Sequence, residues 1–117
     1  MVTVRFRRDS RQRLSSVFSS GHAEQGAYGE DVACAAVSAL LQAAWGGLTD
    51  VAGVAVAGRR RSGDLEMRWP EEARERTDVV AIVRTAELAI EQIAKQQPQA
   101  VRYVREPEAE PGNIPSR

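Results

Sequence analysis

The sequence predicts an α+β domain: a single mostly antiparallel sheet of about five strands with two helices packed on one face. Three observations predict it. Short apolar stretches alternate with period two near both ends of the chain and again in its middle. Two longer stretches, after Asp31 and after Glu71, repeat their apolar residues at helical spacing. The resulting order is strand, strand, helix, strand, strand, helix, strand, which one sheet with two covering helices accommodates most simply.

Composition narrows the class. A chain of 117 residues, 43% of them hydrophobic, suffices for one small domain with a packed core. Aromatics are only 5%, so Val, Ala, Leu and Ile must supply the packing. A formal net charge of +0 argues against a nucleic-acid partner held by bulk attraction to phosphate. The sequence shows no basic segment followed by the apolar core of a secretory signal, and its apolar runs read as too short to span a membrane. One cysteine cannot form an intramolecular disulfide, which fits a reducing compartment; the chain is expected to be cytoplasmic.

The elements follow in order. Val2, Val4 and Phe6 alternate with Thr3, Arg5 and Arg7, a half-buried strand. Arg8 to Arg13 is a polar turn, and Leu14 to Ser20 a second strand, antiparallel to the first. The hairpin's arginines read as a solvated face. Gly21 to Glu30 reads as a glycine-rich loop. Asp31 is read as the N-cap of a helix whose core stripe is Val32, Ala36, Val37, Leu40, Leu41 and Ala44, stopped by Gly46-Gly47. Val51 to Ala57, apolar and β-branched, reads as a central strand, Gly58 to Asp64 as a turn with three arginines at its tip, and Leu65 to Met67 as a strand ended by Pro70. Glu71-Glu72 opens a second helix with Val79, Ile82, Val83, Ala86, Ile90 and Ile93 on one face, terminated by Pro98. Val101 to Val104 is the last strand. The domain is taken as 1–106, and residues 107–117, rich in proline and acids, as a mobile tail.

The chemistry concentrates between the chain's single histidine, His22, and its single cysteine, Cys34. A free thiol has a pKa of about 8.5, so a nucleophilic cysteine needs help to become thiolate. The positive end of a helix and a nearby imidazole both supply it, and the sequence offers both. With Asp31 as N-cap, Cys34 occupies the third helical position. Backbone N–H groups of Cys34 and Ala35 are then expected to be free to hold an oxyanion. Ala33, Ala35 and Ala36 leave room for an extended peptide beside the sulfur. Ser38, one turn on, either lines the pocket or bonds the backbone. One Cys and one His fall short of four zinc ligands, so neither metal nor other cofactor is expected. On this reasoning alone, three roles stay open: a thiol hydrolase, a non-catalytic binding module, and a thiol redox sensor.

Gly21-His22-Ala23, followed by Gly29-Glu30-Asp31-Val32-Ala33-Cys34-Ala35-Ala36-Val37-Ser38-Ala39-Leu40, resembles the signature of the ribosomal-processing cysteine protease family, Prp. The resemblance extends to about Glu106. It implies a cysteine endopeptidase with a Cys–His dyad, acting on the N-terminal extension of a large-subunit ribosomal protein, the twenty-seventh, and cutting after a short motif of Asn, Leu and Gln ahead of a Phe. It also implies a homodimer with a mobile loop over the site. Carried over, Cys34 is the nucleophile and His22 the general base and acid. Asp31 and Ser38 support the site, and Gly21, Gly26 and Gly29 belong to the loop. Glu24, Glu30 and Asp31 are the groups expected to attract the basic body of a ribosomal protein. Departures from the family pattern are Ala33, where a larger β-branched residue is common, the arginine-rich hairpin and the acidic tail. They bear on substrate preference and leave the dyad intact.

Overall fold

The structure is a computed structural model and describes residues 1–21, 28–61 and 63–108, with the side chains of 28–31 not described. Five strands form one sheet: β1 (Val2–Arg8), β2 (Leu14–Ser20), β3 (Ala57–Arg61), β4 (Asp64–Arg68) and β5 (Val101–Pro107). Their spatial order is β3-β4-β2-β1-β5, with β1 and β5 parallel and every other pair antiparallel. Helices α1 (Tyr28–Gly46) and α2 (Thr77–Gln96) pack on one face, as the sequence predicts.

Register explains the layering. Successive side chains alternate between faces, so Val2, Val4 and Phe6 of β1 share a face with Val17 of β2, Leu65 and Met67 of β4, and Val101 of β5. All seven are buried against the helices. Trp69, just past β4, is sealed into the same core, and its Nε1 donates to the Leu14 carbonyl at 3.0 Å.

The predicted arginine face is corrected. Arg5 and Arg7 reach Glu106 at 3.0 and 2.7 Å. Arg8 turns inward, and its Nη1 and Nη2 donate to Glu87 at 3.1 and 3.0 Å. Arg13 and Arg74 both donate to Asp9 Oδ2 at 3.0 Å, while Asp9 Oδ1 accepts the backbone N–H groups of Arg11 and Arg13. Asp9 thereby builds the β1–β2 turn. Charge-assisted hydrogen bonds of this kind are short and strong, and they offset the cost of holding these charges partly out of water.

Helix α1 differs from expectation at both ends. It begins at Tyr28, so Asp31 lies inside it and is not its N-cap. Its buried stripe is Ala33, Val37, Leu41, Ala44 and, beyond the helix, Leu48, rotated from the predicted one, which leaves Val32 49% exposed. Gly46 keeps helical angles and the chain continues as a π-helical turn over Gly47–Val51, closed by the Ala52 N–H on the Gly47 carbonyl at 2.9 Å. The stop is Gly53, at φ +68, the left-handed conformation that glycine adopts at low cost. The predicted strand at Val51 to Ala57 is therefore absent. The strand instead occupies Ala57–Arg61, at the sheet's edge, and the three arginines lie on it rather than at a loop tip. The stretch Val32–Val51 is also long and apolar enough to pass as a membrane span by length and composition, contrary to the sequence reading, because alanine, leucine and valine run almost uninterrupted by charge. It passes as the core helix of a globular fold also can, one stripe packed on the sheet and α2.

Glu71–Ala73 forms a short 3-10 turn, and α2 proper starts at Thr77. Of its predicted core face, Val79, Val83, Ala86 and Ile90 are buried and Ile82 and Ile93 partly so. Glu106 and Pro107 belong to β5, and Glu108, placed in the tail by sequence, accepts from Ser15 Oγ at 2.6 Å and Arg68 at 3.1 Å. Residues 109–117 of the predicted tail lie outside the described residues.

Candidate active site

Cys34 sits in the second turn of α1, half-buried at the flank of the helix's core stripe. Ala33, fully packed beneath it, sets the rotation of the helix, and Val37 and Ser38 follow one turn later on the same side. Because the helix begins at Tyr28, the N–H groups of Cys34 and Ala35 fall within the intrahelical ladder, four residues after Glu30 and Asp31. They are not the free donors that an N-cap at Asp31 implied, and that part of the sequence reading is corrected. Ala35 itself is exposed.

A cavity of about 270 Å³ opens beside Cys34, between α1 and one end of the sheet. Ser38 and Val37 line it from the helix. Val2, Ser19 and Leu65 line it from the ends of β1, β2 and β4. Gly21 and the β3–β4 turn, with Arg61, Gly63 and Asp64, complete it. Mixed lining of this kind suits a peptide, with apolar walls for side chains and hydroxyls for its amides.

A hydrogen bond holds Gly21 here, and its surroundings admit no side chain. Its N–H donates to the Gly63 carbonyl at 2.8 Å, tying the end of β2 to the β3–β4 turn. At φ +85, a Cβ on it would stand 2.6 Å from the Met1 carbonyl oxygen. No side chain fits, so the backbone passes the cavity bare.

The structure thus gathers Cys34, Ser38 and Gly21 around one cavity. His22 and Gly26 lie outside the described residues, as do Ala23 to Gln25 and Ala27. Gly29, read as part of the loop, has a helical backbone in α1, and the side chain of Asp31 is not described. Sequence reasoning missed Val2, Ser19, Arg61, Asp64 and Leu65, which reach the cavity through tertiary structure and carry no local signal.

Shifted carboxyls lie elsewhere among the described residues. Burial alone would push the Asp9 carboxyl up, but hydrogen bonds from Arg13, Arg74 and the Arg11 N–H bring it down to about 2. Burial likewise opposes ionisation of Glu87, yet donation from Arg8, Tyr103 and Arg84 leaves it below the ordinary glutamate value. Burial and the hydrogen bond to Glu87 raise the Tyr103 phenol. Both networks hold the scaffold rather than the thiol. A second hollow, of about 410 Å³, lies between α1 and α2, lined by Leu40, Ala43, Gly47, Ile82 and Thr85, whose hydroxyl donates to the Ala81 carbonyl at 2.7 Å.

A family model described as cysteine protease Prp matches residues 1–102. Comparison with curated proteins finds no match. Among solved structures, SMU.848 from Streptococcus mutans is 26% identical, with a TM-score of 0.82 covering 92% of this chain and 96% of that one. An essential ribosomal processing protease Prp from S. aureus, in complex with a substrate peptide, is 20% identical with a TM-score of 0.80, covering 90% of this chain and 99% of that one. The same protease with a covalently linked product peptide gives 20% and 0.78.

Proposed function

The chain belongs to the cysteine protease Prp family, a family of ribosomal-processing peptide hydrolases, and from that premise we propose that it removes the N-terminal extension of the twenty-seventh large-subunit ribosomal protein by a Cys34–His22 dyad. The observation that carries the reading is the cavity, which Cys34 shares with Gly21, the chain neighbour of His22. His22 follows Gly21 directly in the sequence.

His22 takes the proton from Cys34 Sγ, and the thiolate attacks the scissile carbonyl of a peptide lying in the cavity. The protonated imidazole then gives its proton to the leaving amine. Water, activated by the same imidazole, releases the acyl group from sulfur. Ser38, one turn from Cys34, supplies a hydroxyl donor beside the reacting carbonyl. Asp31 supports the site. Gly21 and Gly26 belong to a loop that covers the peptide during turnover.

The protein works in the cytoplasm, where ribosomal proteins are made and assembled. It works as a homodimer, a reading supported by the apolar residues that α1 and the turn after it leave exposed, Val32 at 49% and Val51 at 81%. Sedimentation at micromolar concentration gives twice the chain mass if this is right.

The decisive experiment incubates the purified protein with the ribosomal precursor of the same organism and identifies any new N-terminus by mass spectrometry. Wild type produces one, while Cys34→Ser and His22→Ala do not. Cleavage that survives Cys34→Ser removes the dyad, and an organism whose ribosomal protein carries no extension removes the substrate.

A further inference from the structure

The buried wall of the cavity beside Cys34 is aliphatic with one exception. Val2, Val37 and Leu65 supply the apolar part, and Ser19, 7% exposed, lies among them. Register settles where Ser19 points. It pairs with Val4 on one side and Leu65 on the other, both buried against the helices. Side chains in lateral register share a face, so the Ser19 hydroxyl stands on the helix side of the sheet, the side on which Cys34 lies.

The buried serines of β2 differ in what their hydroxyls do. Ser15 Oγ donates to Glu108 at 2.6 Å. Ser16, between Arg7 and Arg68 in register, points to the opposite face of the sheet. Ser19 Oγ has no hydrogen-bond partner among the described residues, and Ser19 borders the cavity. A ligand group that displaces water from such a hydroxyl must replace its hydrogen bonds or lose affinity. The rim settles the charge of that group. Arg61 and Asp64 stand opposite one another across the β3–β4 turn with opposite signs, so neither sign is favoured. An ionised side chain on the aliphatic wall would also forfeit its hydration.

We propose that the cavity is the pocket for a carboxamide side chain close to the cut bond, and that Ser19 is the residue that selects it. The proposal rests on Cys34 being the nucleophile. A glutamine brings a short apolar stem for Val2, Val37 and Leu65 and a neutral end for the hydroxyl. Its oxygen accepts from an O–H and its N–H₂ donates to one, so the amide is satisfied whichever way it is turned. A methionine of similar shape fills the same space and leaves Ser19 Oγ buried without a partner. A cavity of about 270 Å³ holds one such side chain.

The test uses fluorogenic peptides spanning the cut bond, each with Gln, Met or Glu at one of the two positions on either side of it. At one position wild type prefers Gln over Met by about tenfold in kcat/KM, and Glu is cut no better than Met. In Ser19→Ala the Gln-to-Met ratio drops to near one, while the Met peptide is cut at least as fast as by wild type. Ser19→Thr, which keeps the hydroxyl, keeps the preference. A wild-type ratio near one at every position, or a preference for Glu, overturns the pocket. So does a ratio unchanged in Ser19→Ala, or one that Ser38→Ala abolishes in its place. An equal fall in kcat for every peptide in Ser19→Ala overturns it as well, since that marks a group acting on the reacting carbonyl and not on a side chain. If wild type cuts no peptide, the nucleophile reading fails separately, and the same peptides are scored for binding by fluorescence anisotropy. There a difference of about tenfold in Kd between Gln and Met that Ser19→Ala abolishes sustains the pocket, and equal Kd values overturn it.

Discussion

Replacing Glu87 by Gln tests whether the buried charge cluster holds α2 to the sheet. The Glu87 side chain is fully buried, with 0% exposure, and accepts from four donors: Arg8 Nη1 and Nη2, Arg84 Nη1 at 2.6 Å, and Tyr103 Oη at 2.7 Å. Arg8 is itself only 13% exposed. Glutamine keeps the shape but points an N–H₂ at donors and leaves Arg8 a nearly buried cation without its counter-charge. Gross charge-assisted bonds of about 1.5–3 kcal/mol each are offset by the desolvation that burial already costs. The net loss for removing one partner of such a pair is about 3–5 kcal/mol. For a domain of this size that lowers Tm by roughly 10–20 °C. The assay is thermal unfolding followed by circular dichroism. The pH dependence adds a signature. The folded pKa of Glu87 lies below its ordinary value of 4.5, so its contribution is present above pH 4.5 and is lost as pH falls through the folded value. Glu87→Gln removes that share of the acid sensitivity. Adding Arg8→Met to Glu87→Gln recovers part of the stability, because the unpaired cation is gone. A Gln variant that melts within about 3 °C of wild type, or a double variant no better than the single, would refute the argument.

Three further outcomes follow from the same geometry. Gly21→Ala places a Cβ 2.6 Å from the Met1 carbonyl at a positive φ, so it is expected to cost about 1–3 kcal/mol in urea unfolding and to lower kcat/KM more than Tm, because Gly21 borders the cavity. Gly58→Ala drives a Cβ to 2.0 Å from the Glu66 carbonyl oxygen, which β3 can relieve only by leaving β4; hydrogen exchange then accelerates in β3 and β4 while β1 and β5 stay protected. Asp9→Asn flattens the acid limb of stability. The wild-type carboxyl, held at about 2 against an ordinary 3.8, stabilises above pH 3.8 and fades as pH falls through about 2, and the urea midpoint across that window reports its loss.

The first two strands, the core face of α2 and the stop before Pro98 are legible because alternation and helical spacing are local patterns. Strand β3 is not, since an edge strand paired on one side needs no apolar residue, and Ala57–Arg61 has a single alanine and three arginines. The π-helical turn at Gly47–Val51 hides behind two glycines that look like a stop, when Leu48 is fully buried and holds the chain down. Glu87 sits between core positions Val83 and Ile90 and reads as a polar interruption; Arg8 from β1 and Tyr103 from β5, which the fold brings to it, together with Arg84 make its burial tolerable. At the candidate site, Cys34 and the small residues near it are visible as a motif. The strand ends that complete the cavity are not, because Val2, Ser19 and Leu65 meet Cys34 only once the sheet has formed.

The parallel pairing of β1 with β5, Val2 beside Val101 through Arg8 beside Pro107, joins residues about a hundred positions apart. Closing so long a loop costs more chain entropy than closing the β1–β2 hairpin, so the seam is expected to form after the hairpin. Until it closes, β1 offers one bare edge to any extended chain nearby. The cavity shares Val2 with that seam, so the wall beside Cys34 is complete only once the fifth strand has joined the sheet.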